Sequence, residues 1–105
     1  MLIPKKKLIR SEKHRRFIAS LPCLMTGRYD CQAAHIRHGY LATGSKPSDA
    51  RCVPLNWEEH LRQHTIGEKA FWGDKLDLAI WTSGLLWTHT GDRQKCLELI
   101  AKFQK

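Results

Sequence analysis

The chain is poor in acidic residues, with 10 Asp+Glu against 18 Lys+Arg, a formal net charge of +8. It also contains no apolar run that approaches the roughly 20 residues of a membrane-spanning helix. It shows no internal repeat, no low-complexity tract and no composition break that would separate a second domain. Its opening, MLIPKKKLIR, is basic but lacks the apolar h-region of a secretory signal. The four cysteines, Cys23, Cys31, Cys52 and Cys96, fall at irregular intervals. These absences lead us to expect a cytoplasmic protein with reduced thiols and no membrane partner. The charge imbalance favours a polyanionic partner, nucleic acid or an anionic membrane. Basicity alone would also serve solubility, so the charge needs a site beside it.

The 105 residues suit one domain, 1–105, and 42% hydrophobic content gives it a small core. Residues 1–10 form a basic arm in which Lys5, Lys6 and Lys7 are candidate DNA contacts. From Ser11 the pattern turns helical: His14, Phe17, Ile18 and Leu21 share one face, and Pro22 ends the run. Residues 23–36 read as two short extended pieces around a turn at 27–30, although Ala33 and Ala34 are poor strand formers. Residues 37–50 carry Gly39, Gly44 and Pro47, a loop long enough in a small domain to suggest function. RCVPL at 51–55 predicts a short strand running into a helix that Gly67 closes.

Residues 74–105 read as a helical cap. Leu76, Ala79, Ile80, Ser83 and Trp87 make one stripe, and Leu78, Trp81 and Leu85 a second, which predicts a helix covered on two sides. Asp92 is a fair N-cap for a last amphipathic helix with Cys96, Leu99, Ile100 and Phe103 on its inner face. Trp57, Trp72, Trp81 and Trp87 are dense for this length and read as core packing; base stacking would need them exposed beside a basic surface.

The chemistry lies in NWEEHLRQH, where His60 and His64 stand four residues apart. At that spacing two imidazoles share one helix face and can converge on one cation. A third candidate, His35, precedes the long loop in CQAAHIRHG. Phosphodiester hydrolysis needs a water deprotonated near neutral pH and stabilisation of charge on the phosphate and leaving oxygen. A histidine base contributes about 10²–10⁴-fold, and one divalent cation supplies the rest of the requirement.

CQAAHIRHG, ATGSKPSDARCVPLNWEEHLRQH and GEKAFW together resemble the HNH, or His-Me finger, nuclease superfamily, in particular phage and prophage Ref-like recombination-enhancement nucleases. The resemblance covers residues 21–72, about half of the chain. It implies an α+β fold with a small ββα-metal core at 21–66, flanked by the N-terminal helix and the helical cap. It implies a metal-dependent endonuclease that nicks or cuts DNA in recombination, with a recombinase partner of which the sequence carries no trace. His35 matches the general base, and His60 and His64 the metal-binding pair. Asp49 falls near a polar residue that orients the base or helps the metal, and Arg37 and Lys46 are the phosphate contacts. One divalent ion is implied, Mg or Zn, with Mn as a third choice.

Two departures qualify that reading. Many relatives carry an Asp or His immediately before the base, where this chain has Ala34. Asp49 or a water then completes the shell, or His35 is a ligand and His38 or a water the base, or the site is degraded. In the last case the chain is a non-catalytic nucleic-acid-binding module; a third reading leaves the histidines to packing alone. Relatives also hold a structural zinc in two C-x-x-C knuckles, but here the positions read Cys23 and Thr26, then Asn56 and Glu59. No structural zinc is expected. Stability must then come from packing, with Leu24, Met25, Trp57 and Leu61 as substitutes and Cys23, Cys31 and Cys52 either free thiols or an irregular cluster.

Overall fold

A computed structural model of the chain describes residues 9–37 and 48–105. Helix α1 (Glu12–Ala19) starts at Ser11, whose side chain accepts from the His14 N–H, and ends at Ser20, two residues before Pro22. The predicted stripe is its inner face: His14, Ile18 and Leu21 are buried and Phe17 is half-buried. His14 ties this helix to the far end of the chain. Its Nδ1 lies 2.6 Å from Thr90 Oγ1, and its ring meets Trp87 edge-on at 4.8 Å. Burial lowers its pKa, against the opposing pull of the Asp49 charge.

The first of the two extended pieces expected in 23–36 is a turn. The Cys23 N–H donates to Arg28 O at 2.7 Å and the Gly27 N–H to Cys23 O at 2.8 Å, with Gly27 and Asp30 at positive φ. Backbone groups that a strand would offer to a neighbour are used inside the turn. Strand β1 is Cys31–His35, and β2, Cys52–Asn56, follows a 3₁₀ turn at Asp49–Arg51. They pair antiparallel, Cys31 opposite Asn56 and His35 opposite Cys52. Ala33 and Ala34 enter a strand because pairing and burial decide it, Ala34 being fully buried. β2 is buried along its whole length, and it tolerates Pro54 because, among the described residues, it has a ladder partner on one side only.

Helix α2 (Trp57–Ile66) begins where β2 ends. Asn56 accepts from the Glu58 N–H at 3.1 Å and donates its side-chain amide to Tyr29 O at 3.2 Å, so one residue closes the strand, caps the helix and anchors the turn before β1. Glu58 and Glu59 lie in the first turn, where the helix dipole favours them. Gly67, at φ 88°, breaks the helix and starts the short α3 (Glu68–Trp72).

Helix α4 (Leu76–Thr88) packs on β2 and α5 (Arg93–Phe103) packs on α4, Asp92 capping α5 by accepting from the Lys95 N–H. Leu76, Ala79, Ser83 and Leu86 are buried, but Leu78 is exposed and Trp81 is 67% exposed. The second stripe of α4 is therefore uncovered at Leu78 and Trp81, while Leu85 is half-buried. Trp57 and Leu61 are exposed too and are not the packing substitutes that the sequence suggested. That work falls to Leu24 and to Phe71, Trp72 and Phe103, whose rings meet edge-to-face at 4.9 and 5.9 Å. The fold is thus α+β, helices around a two-stranded antiparallel sheet. No helix among the described residues is long and apolar enough to cross a membrane.

Candidate active site

A cleft of about 850 Å³ opens between the end of β1, the face of α2 and the start of α3. His35, Arg37, His60, His64 and Lys69 line it. His60 and His64 are brought together as their spacing predicts: their Nε2 atoms are 3.2 Å apart and their ring centroids 4.8 Å. On the other side of its ring, His60 Nδ1 is 2.7 Å from Gln32 Oε1. An amide oxygen only accepts, so Nδ1 carries the proton and the His60 Nε2 lone pair faces His64. Two imidazole nitrogens at that separation need a proton or a cation between their lone pairs. Two ligands on one tetrahedral zinc, at Zn–N distances of about 2.0–2.1 Å, would stand about 3.3 Å apart, so the pair fits a divalent ion. His60 has a lowered pKa, first from burial and then from the His64 and His35 charges, which favours the neutral form that ligates metals.

His35, at the end of β1, presents Nε2 to Asp49 Oδ1 at 2.8 Å. The Asp49 side chain is 2% exposed, and its other oxygen accepts from the Ser11 N–H at 2.7 Å and from Arg15 Nε at 3.0 Å. Burial opposes its ionisation, but the hydrogen bonds from His35 and Ser11 and the charges of His35 and Arg15 outweigh it, and its carboxyl lies below the usual range. An ionised carboxylate can only accept, so His35 donates from Nε2, and in the neutral ring Nδ1 is the nitrogen with a lone pair. The 3₁₀ turn delivers Asp49 to this position, while Ser11 and Arg15 tie it to α1.

A second group of possible ligands lies behind the cleft. His35, Asp49 and Cys52 have ligand atoms within 4.8 Å of one another, a set that could hold a metal ion. Within it, Cys52 is buried and its thiol is pushed up to about 12, first by burial and then by the Asp49 charge, so it stays protonated at neutral pH. Both Asp49 oxygens already have donors.

Of the expected phosphate contacts, Arg37 lines the cleft with its side chain exposed, and its backbone N–H donates to Glu68 Oε2 at 2.6 Å. Lys46, Lys5, Lys6, Lys7 and His38 lie outside the described residues. Residues that the sequence did not single out complete the cleft. Lys69 adds a second exposed cation to the wall. Gln63 is buried, accepts from the Trp72 indole N–H at 2.7 Å and reaches His35 O at 3.5 Å, which braces α2 against α3 and the end of β1. Gln32 sets the His60 tautomer. A glutamine on a helix or strand carries no signal of such a role.

Residues 1–82 match the family described as "Protein of unknown function (DUF968)", and the chain belongs to that family. No curated protein and no solved structure matches it.

Proposed function

From a family whose description assigns no activity, we propose that this chain is a metal-dependent DNA endonuclease with a ββα-metal core of the HNH type. The order β1, long connection, β2, α2 supports that architecture, and the paired Nε2 atoms of His60 and His64 carry the reading. Both nitrogens stand on a cleft wall, where a cation could reach them.

His60 and His64 would hold the cation. Bound there, it supplies Lewis-acid stabilisation of charge on the phosphate and the leaving oxygen. The remaining work falls to the chain's own groups. Arg37 and Lys69 draw the phosphate backbone into the cleft. His35 Nδ1 accepts the proton of the attacking water, while Asp49 holds the ring in the correct tautomer and stabilises the imidazolium that forms. Gln32 does the corresponding service for His60. DNA is the partner, in a recombination setting of the prophage kind.

A non-catalytic DNA-binding module is the second reading, and Ala34 is the feature that favours it. Ala34 is fully buried in the core and does not line the cleft.

The test is plasmid nicking with Mg²⁺, Mn²⁺ or Zn²⁺ by the wild-type chain, His35→Ala and His64→Ala. We expect wild-type cleavage in at least one metal and its loss in both folded variants. DNA binding that survives in all three proteins, with no cleavage in any metal, would establish the binding module instead.

A further inference from the structure

Two tryptophans stand in solvent, and one of them shares a helix face with the histidine pair. Trp57, the first residue of α2, is 51% exposed, and Leu61 is exposed beside it. Trp57, His60, Leu61 and His64 are spaced i, i+3, i+4, i+7. The indole therefore lies on the stripe that carries both imidazoles, about one helical turn, or 5.4 Å, before His60 and Leu61. None of the ring contacts among the described residues involves Trp57. The turn before β1 is fastened next to it. Tyr29 O accepts from the Asn56 amide at 3.2 Å, and Arg28 Nη1 donates to Glu58 Oε1 at 3.4 Å, so exposed Arg28 and Tyr29 flank the first turn of α2. The Arg28–Glu58 pair is exposed on both sides and holds the guanidinium weakly, which leaves it open to a competing phosphate.

We propose that Trp57 is a base-stacking platform, and that the DNA taken by the cleft carries unpaired bases, as a single strand or a single-stranded segment of a duplex. The inference rests on the reading of the cleft as a DNA-cutting site and adds the class of DNA. An indole gains from a base only when ring meets ring face to face. In a duplex both faces of every base are covered by its neighbours, so Trp57 would meet sugar and phosphate alone. An unpaired base offers a free face and has no pairing to lose. Cations stand at both ends of the stripe: Arg28 beside Trp57, and Arg37 and Lys69 in the cleft beyond His64. A strand laid along α2 would keep its phosphates on these groups while a base covers the indole, and would pass over His60 and His64 on the way.

A protein partner would also gain from covering Trp57 and Leu61, but the net charge of +8 and the cations flanking the stripe favour a polyanion. Trp81 supplies a control. It is more exposed than Trp57, yet it lies on α4 and does not line the cleft.

The experiment measures binding of the full chain, by fluorescence anisotropy in EDTA, to three labelled DNAs: a mixed-sequence single strand, the same sequence as a duplex, and a strand of equal length made of abasic residues. Trp57→Ala should lose about 5- to 100-fold in affinity for the single strand and less than about twofold for the duplex. Trp57→Phe should recover most of the loss, and Trp81→Ala should bind as the wild type does. The wild type should bind the abasic strand more weakly than the intact one by a similar factor. Equal losses on strand and duplex, no loss in Trp57→Ala, or the same loss in Trp81→Ala would overturn the proposal. Equal wild-type affinity for the intact and abasic strands would overturn it without any variant. Cleavage does not enter the measurement. A chain that nicks plasmid but shows no strand-selective loss would keep the nuclease and lose the platform. A selective loss with no nicking in any metal would keep the platform on a module that binds single strands without cutting them.

Discussion

Replacing Asp49 by asparagine separates the structural and chemical roles of one carboxylate. The side chain is 2% exposed and accepts two short bonds, from the Ser11 N–H at 2.7 Å and His35 Nε2 at 2.8 Å. Hydrogen bonds to a charged group contribute about 1.5–3 kcal/mol each. Arg15 adds less than about 1 kcal/mol because its side chain is 43% exposed and the pair is screened. Asparagine keeps one acceptor, which the buried Ser11 amide would retain, and turns an NH₂ toward His35. We expect a loss of about 2–3 kcal/mol, seen in urea unfolding as a lower midpoint at unchanged slope. The chemical effect is larger. An NH₂ facing Nε2 makes that nitrogen an acceptor and moves the ring proton to Nδ1, so the lone pair that would take the proton from water is gone. Nicking measured below the unfolding midpoint should fall by about 10²–10⁴-fold. An Asp49→Asn chain that is folded and cleaves at close to the wild-type rate would refute the assignment of His35 Nδ1 as the base and of Asp49 as its positioning partner.

Titration calorimetry with Mn²⁺ or Zn²⁺ should show His60→Ala and His64→Ala each losing at least about tenfold in affinity, and Gln32→Leu a smaller loss through the freed His60 ring; equal affinities in all four proteins would place the ion elsewhere. Gln63→Leu leaves the Trp72 indole N–H buried without an acceptor and should cost about 1–3 kcal/mol in urea unfolding; no loss would mean that the bond contributes nothing. Folding should also weaken in mild acid. His14 and His60 both have folded-state pKa values below 6.5, so the unfolded chain binds more protons between those values and 6.5, and stability falls as pH drops through that window. A pH series of melting temperatures on the metal-free chain checks it, and His14→Gln should flatten the slope.

The helix period made His60 and His64 legible, because residues four apart on a regular helix meet whatever surrounds them. The same logic found the inner faces of α1 and α5, and Asp92 and Gly67 marked ends by chemistry that is local to the turn. It failed where burial depends on what lies opposite. Leu78 and Trp81 are as apolar as their buried neighbours on α4, but no other element among the described residues reaches them. Trp57 and Leu61 erred for the same reason on α2. The turn expected at 27–30 is there, with Gly27 and Asp30 at positive φ, but it reaches back to Cys23; that part was hidden because it closes through backbone bonds, Cys23 N–H to Arg28 O and Gly27 N–H to Cys23 O, beneath the apolar run CLM. In the cleft, His35 was found through its motif. Its distance to Asp49 joins β1 to a turn across the long loop, and the contacts of Gln32, Gln63, Ser11 and Arg15 are tertiary in the same way.

The account rests on where a cation binds. Crystals soaked in Mn²⁺ or Zn²⁺, read by anomalous scattering, measure that directly. The account predicts one dominant peak in the cleft, ligated by the Nε2 atoms of His60 and His64, with His35 still on Asp49. A peak among His35, Asp49 and Cys52 with the histidine pair empty, or no ordered ion in the cleft at all, would contradict it.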